Sequence, residues 1–237
     1  MSSLILPPYL DDDAINFGGR RGHAFCDHFI TDSTILDGWV KAGNLAIISS
    51  ASGITDDQHP GTVILTTGTS SSGYTSIAKG SSGLVGGSNI EIVCESLINI
   101  PTLSTTTEDY KIRLGWGNDV AGADHAHGMY FEASGGNSPT WNCKAAGASS
   151  RSSSASGLSI TTGWTRLVIV HTKVAGTLTA VFYINGVQVQ TITGANLPST
   201  YAEAFCPSLG IYKSAGTANR FFYVDYYKHR MSIVTPA

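Results

Sequence analysis

Residues 178–193 read "LTAVFYINGVQVQTIT", and this stretch decides the fold class. Asn185-Gly186 lies between two runs in which apolar and polar residues alternate. Asn-Gly supplies the positive φ angles of a type I′ turn, whose twist matches that of two antiparallel strands. The stretch is therefore a β-hairpin, and the segments on either side of it follow the same grammar. Upstream, "GWTRLVIVHTK" (163–173) places Trp164, Arg166, Val168 and Val170 on one face, and Leu167, Ile169 and His171 on the other. Downstream, "FCPSLGIYKS" (205–214) and "NRFFYVDYYKHRMSIV" (219–234) continue in strand-like runs. In "FFYVDYY", Phe221, Tyr223, Asp225 and Tyr227 alternate with Phe222, Val224 and Tyr226, which predicts one core face and one partly buried face.

The N-terminal half reads likewise. "GTVILTTG" (61–68), "GYTSIAKG" (73–80), "SNIEIVCESLINI" (88–100), "DYKIRLGWG" (109–117), "GMYFEAS" (128–134) and "PTWNCKAAG" (139–147) are β-branched or aromatic runs bounded by turn residues. No window carries a capped apolar period of 3.6, and "TYAEAF" (200–205) supplies at most one helical turn. Many short strands without helices predict a β-sandwich or barrel. "ASSRSSSASG" (148–157) is of low complexity and reads as a flexible loop at the sandwich rim.

Composition agrees. The chain has 237 residues, 13% of them charged, with 27 glycines. That length suits one large sandwich with a sizeable core. A net charge of −3 offers no basic field for nucleic acid. Cys26, Cys94, Cys143 and Cys206 include no CxxC pair, so a zinc knot is not indicated. The thiols are expected reduced, although an even count leaves a disulfide open. "MSSLILPPYLDDDA" does not read as a secretory signal, and no run approaches the ~20 apolar residues of a membrane helix. Residues 1–22 are expected to be an extended arm that anchors on a partner through Leu4, Ile5, Leu6, Tyr9, Leu10, Arg20 and Arg21; a plain disordered tail is the alternative. Residues 23–237 form the sandwich domain.

The order of the motifs carries a resemblance. Phe25-Cys26-Asp27-His28-Phe29 leads to Gly38-Trp39, then "HPGTVILTTGTSSSGYTSI", "YKIRLGWGN", "GMYFEASGG", "GWTRLVIV", "FYINGVQV" and "YVDYYKHRM". Over about residues 23–233 this resembles the concanavalin A-like jelly rolls in structural proteins of tailed bacteriophages. The resemblance implies two curved antiparallel sheets and a non-enzymatic virion role. Its first form is a head decoration or cement protein docked on the major capsid protein, made in the host cytoplasm and placed on the virion surface. Its alternative is a tail or head fibre that binds a host-surface glycan. A homotrimer is implied as well. The absence of heptads or repeats argues against a shaft, and an arm of about twenty residues reaches at most about 70 Å.

Glucanases also belong to this superfamily, so catalytic carboxylates need testing. Glu91 and Glu95 in "EIVCE" resemble a glucanase strand motif, but Val93 stands where that motif has aspartate. Four residues of strand span about 13 Å, against about 5.5 Å for retaining and about 6.5–9.5 Å for inverting enzymes. No GxSxG elbow appears, and "GLVGGSN" lacks the lysine of a phosphate loop. No catalytic residue, cofactor or metal is assigned. Asp124, His125 and His127 in "GADHAHGMYF" form the best metal candidate, yet the two imidazoles have no identified third ligand and suit a subunit or glycan contact equally well. Trp116, Tyr130 and Trp141 are candidates for stacking on sugars, with the sandwich core as the competing destination. Asp56, Asp57 and His59 precede Pro60-Gly61 and read as a pre-strand turn, with a loop calcium site as the alternative.

Overall fold

A computed structural model describes residues 22–27, 39–43, 48–49, 62–79, 89–118, 123–136, 139–147, 150–198 and 206–233. The strands are β1 (Gly22–Asp27), β2 (Trp39–Gly43), β3 (Ile48–Ser49), β4 (Val63–Thr66), β5 (Tyr74–Lys79), β6 (Ile90–Ile100), β7 (Tyr110–Gly117) and β8 (Gly128–Ser134). They continue as β9 (Thr140–Gly147), β10 (Ser150–Ser159), β11 (Gly163–Val174), β12 (Thr177–Ile184), β13 (Val187–Thr193), β14 (Cys206–Lys213) and β15 (Phe221–Ile233). One sheet has eight strands in the order β13-β12-β11-β6-β15-β4-β3, with β1 also on β15. The other has seven, in the order β10-β9-β8-β7-β14-β5-β2. All pairings are antiparallel. The described residues contain no helix, and so none long and apolar enough to cross a membrane.

Period-2 alternation sends one side of each sheet inward. Ile90, Ile92, Cys94, Ile98 and Ile100 of β6 meet Ile112, Leu114 and Trp116 of β7, Met129 and Phe131 of β8, and Trp141 and Cys143 of β9. Leu167 and Ile169 join them, so β11 buries the face that its alternation assigns to the core. Phe131 stands edge-on to both Trp141 and Phe182, with ring centroids 6.0 and 5.2 Å apart. Tyr227 lies fully inside, where its hydroxyl donates to Gly115 O at 2.9 Å and receives the Cys94 thiol at 3.0 Å. No disulfide links the four cysteines, and Cys94, Cys143 and Cys206 are buried. Burial raises the Cys94 and Cys143 thiols to about 12, which makes them inert packing groups at neutral pH.

The 178–193 hairpin forms as expected, with Asn185 and Gly186 at φ 50° and 82°. Two expectations need correction. The alternation through 221–227 is broken: the pairing of β15 with β6 shifts register between Val224 and Tyr226. That bulge lets Phe222, Val224 and Tyr227 all face the core and turns Tyr226 outward. The serine-rich segment is not a loop. Ser150–Ser159 is the end strand of the seven-strand order, paired to β9 from Ser150↔Gly147 to Ala155↔Asn142. Such an edge strand needs only backbone partners, so it forms without the apolar period that a sequence reading looks for.

Candidate functional site

A set of charged and polar side chains converges on the outer face of the seven-stranded sheet. In β7, Tyr110, Ile112, Leu114 and Trp116 face the core, so Arg113 faces outward. Register places Glu132 of β8 beside it. By the same alternation Tyr130, Asn142, Lys144, Arg151, Ser153 and Ala155 share that face, with Arg151↔Ala146, Ser153↔Lys144 and Ala155↔Asn142 as neighbours.

A charge network runs across these strands. Arg113 Nε donates to Glu132 Oε2 at 2.7 Å, Nη2 to Asp124 Oδ1 at 2.6 Å, and Nη1 to Ala123 O at 2.5 Å. Its guanidinium also stands 5.1 Å from the Tyr212 ring centroid, and that ring stacks on Tyr74 at 6.0 Å. Lys144 Nζ reaches Glu132 Oε1 at 2.9 Å and Asp124 Oδ2 at 3.2 Å. Arg151 closes the edge, with Nη1 3.5 Å from Asp124 Oδ2 and Nη2 3.2 Å from Asp124 O. Arg113 and Glu132 are each 4% exposed, Asp124 34% and Arg151 50%, so the network runs from core-like depth to solvent. Burial pushes the Asp124 carboxyl up, but Arg113, Lys144 and Arg151 outweigh it and hold it below its ordinary value.

The loop before β8 seats His125 on this face. Its ring stands edge-on to Tyr130 at 4.6 Å and lies over Gly117, where a Cβ would overlap the imidazole. Burial, with Arg113 next, pulls its pKa down to about 3, so the ring is neutral at pH 7. His127 is half-buried, and its backbone N–H donates to Asn118 Oδ1 at 3.0 Å. Among the described residues no group of three or more His, Cys, Asp or Glu side chains converges as a metal site.

Several expected contact residues are therefore placed differently. Trp116, Tyr130, Trp141 and His125 are each about 1% exposed. Trp116 and Trp141 fill the core, while Tyr130 and His125 pack on each other beneath the loop. None offers a free ring face to a sugar or a subunit. Asp124 and His127 do reach the surface. The arm anchors Leu4 to Arg21, and the turn residues Asp56, Asp57 and His59, lie outside the described residues, as does "TYAEAF" apart from its neighbour Cys206. Sequence reasoning passed over Arg113, Glu132, Lys144 and Arg151. Arg113 and Glu132 lie among apolar residues of their strands, and only the register between β7, β8 and β9 brings them together.

The carboxylates once weighed for catalysis lie on the opposite, eight-stranded sheet. Glu95 Oε1 accepts from Arg166 Nε and from Tyr226 Oη, the latter at 2.5 Å. Glu91 Oε1 pairs with Arg230 Nη2 at 2.9 Å. Between them Val93 packs with Val168, Val170 and Tyr183 in a second apolar cluster. Each carboxylate has its own guanidinium, and an apolar side chain fills the position between.

Solved structures share this fold at low identity. The protein of unknown function SO2946 from Shewanella oneidensis MR-1 aligns with a TM-score of 0.60 at 13% identity, over 91% of this chain and 89% of that one. Peanut lectin aligns at 0.59 and 11% identity, over 91% and 100%. The endo-1,3-beta-glucanase from Streptomyces sioyaensis aligns at 0.58 and 12%, over 90% and 96%. The carbohydrate recognition domain of Emp47p aligns at 0.57 and 9%, over 90% and 95%. The fold is thus an all-β, concanavalin A-like jelly roll, shared by lectins and a glucanase alike. No curated protein matches the sequence. Residues 58–225 match the family model described as "SO2946-like, C-terminal domain", and the chain belongs to that family.

Proposed function

We propose that this chain is a non-enzymatic binding module that takes a glycan on the outer face of its seven-stranded sheet, at the β9–β10 end. One observation carries the non-enzymatic part: Glu91, Glu95, Asp124 and Glu132 are each tied to a guanidinium. A glycosidase needs one carboxylic acid held protonated and a second, free carboxylate opposite it. Arg113, Lys144 and Arg151 instead hold Asp124 ionised and occupied. What solvent reaches at that end is a shelf of hydrogen-bonding groups, with Arg151 and Ser153 exposed and Asp124, Asn142 and Lys144 half-buried. Sugar hydroxyls need such convergent donors and acceptors. The lectin-type relatives in fold support the reading by analogy of architecture.

The setting we favour is the surface of a tailed-phage particle, as a head decoration protein, with a trimer and a capsid-docked arm. The fibre form of the same idea uses the same glycan shelf. Both rest on the order of motifs in the sequence.

The test is a nuclear magnetic resonance titration of the whole chain with a panel of neutral and acidic oligosaccharides, beside a reducing-end assay. Shifts confined to β8–β10, with no new reducing ends, are the expected result. No binding across the panel overturns the glycan reading. Hydrolysis that Glu132→Gln abolishes overturns the non-enzymatic one. Immunogold counts on intact particles decide the setting: many copies at capsid axes fit decoration, a few at one vertex fit a fibre, and none removes the virion role.

A further inference from the structure

We infer that the glycan carries a carboxylate, and that Arg151 is the residue that receives it. This rests on the glycan-binding reading above and narrows its substrate class. Three cations, Arg113, Lys144 and Arg151, share two carboxylates, Asp124 and Glu132. Among the described residues the network therefore counts one cation more than it has carboxylates, in a protein whose net charge is −3.

The surplus is localised by geometry. Both oxygens of Glu132 are taken at 2.7 and 2.9 Å by Arg113 and Lys144. Asp124 Oδ1 is taken by Arg113 at 2.6 Å, and Lys144 lies 3.3 and 3.2 Å from its two oxygens. Arg151 comes last: its one charged contact is 3.5 Å long, to an oxygen already shared. A guanidinium has five N–H donors in a planar fork that matches a carboxylate at two points. Arg113 spends its fork inside the protein; Arg151, half exposed, has N–H groups to spare on the solvent side.

The neighbours fit the rest of a sugar. Ser153 lies two residues along β10 on the same face, about 7 Å away, and Asn142 is the next residue across the ladder from Ala155. A hydroxyl and an amide at that spacing can hydrogen-bond ring hydroxyls while the acid group sits on Arg151. Asp124 O accepts from Nη2 at 3.2 Å, which orients the guanidinium before a ligand arrives.

The experiment compares carboxylated oligosaccharides (galacturonate, glucuronate and sialyl forms) with the methyl ester of each, by calorimetry on the whole chain. Esterification removes the charge and keeps the skeleton. At least one free acid should bind about tenfold more tightly than its ester, the scale of one charge-assisted pair. Added salt should narrow the gap. Arg151→Gln should abolish the preference while leaving the unfolding midpoint unchanged, and Arg151→Lys should restore part of it. Equal binding of acid and ester, or a preference that survives Arg151→Gln, overturns the inference. If neutral glycans bind and acidic ones do not, the inference falls and the glycan reading stands. If no glycan binds, both fall.

Discussion

The two sheets each carry ion pairs on their outer faces, and they use them differently. On the eight-stranded sheet, Glu95, Arg166 and Tyr226 form a closed knot, flanked by Val93, Val168 and Val170. Glu95 and Arg166 are 3% and 8% exposed, and among the described residues Glu95 Oε2 and Arg166 Nη1 are buried without a hydrogen-bond partner. On the seven-stranded sheet, five charged groups pass contacts from one to the next until Arg151 reaches water. The first arrangement suits a surface that only has to stay folded. The second has an open end, and an open end can exchange a partner.

The largest effect should come from cutting each network at its buried carboxylate. Glu132→Leu strands Arg113 and Lys144, and Glu95→Leu strands Arg166; each should lower unfolding free energy by about 3–5 kcal/mol in urea titrations. The double variants separate the two designs. Glu95→Leu with Arg166→Met removes a whole pair and should recover most of the loss. Glu132→Leu with Arg113→Met should recover less, because Asp124 loses its contact with Arg113 and Lys144 keeps only Asp124. Equal recovery in both would erase the contrast.

Next in size is the seat of His125. Gly117→Ala pushes a methyl group into the imidazole, an overpacking change expected to cost about 1–3 kcal/mol. Adding His125→Ala should return part of it, which thermal melts can read.

A smaller effect is graded by pH. His125 has a folded pKa of about 3 against an ordinary 6.5. As pH falls the unfolded chain takes the proton first. The stabilisation is complete above pH 6.5 and drains away toward pH 3, at up to about 1.4 kcal/mol per unit. His171, lowered by burial to about 4, acts in the same direction. His125→Asn should therefore reduce the slope of stability against pH without removing it. The smallest effect belongs to the open end: Arg151→Gln should change stability by less than about 0.5 kcal/mol.

Much of this architecture is legible in the amino-acid sequence. The Asn185-Gly186 hairpin and the segments that became β4 to β9 announce themselves through alternation and turn residues, because core burial imposes both. Two features resist such reading for physical reasons. The bulge at 224–226 moves Tyr227 inward and Tyr226 outward, and a change of parity depends on the partner strand. The strand β10 lacks an apolar face, so nothing in its own residues marks it as ordered. The site was half legible. Asp124 stands out in the sequence and lies in the charge network, whereas Trp116, Tyr130 and Trp141 went to the interior, as large aromatic rings in sandwiches mostly do. The basic members of the network were missed because Arg113, Lys144 and Arg151 come from three strands and meet only in register.

The serine-rich strand has one more consequence, for how such a protein can change over generations. β10 is held by its backbone, and its outward residues Arg151, Ser153 and Ala155 are exposed. Replacing them alters what the surface offers while asking nothing new of the interior. A lineage could change that surface one residue at a time, without passing through an unstable intermediate.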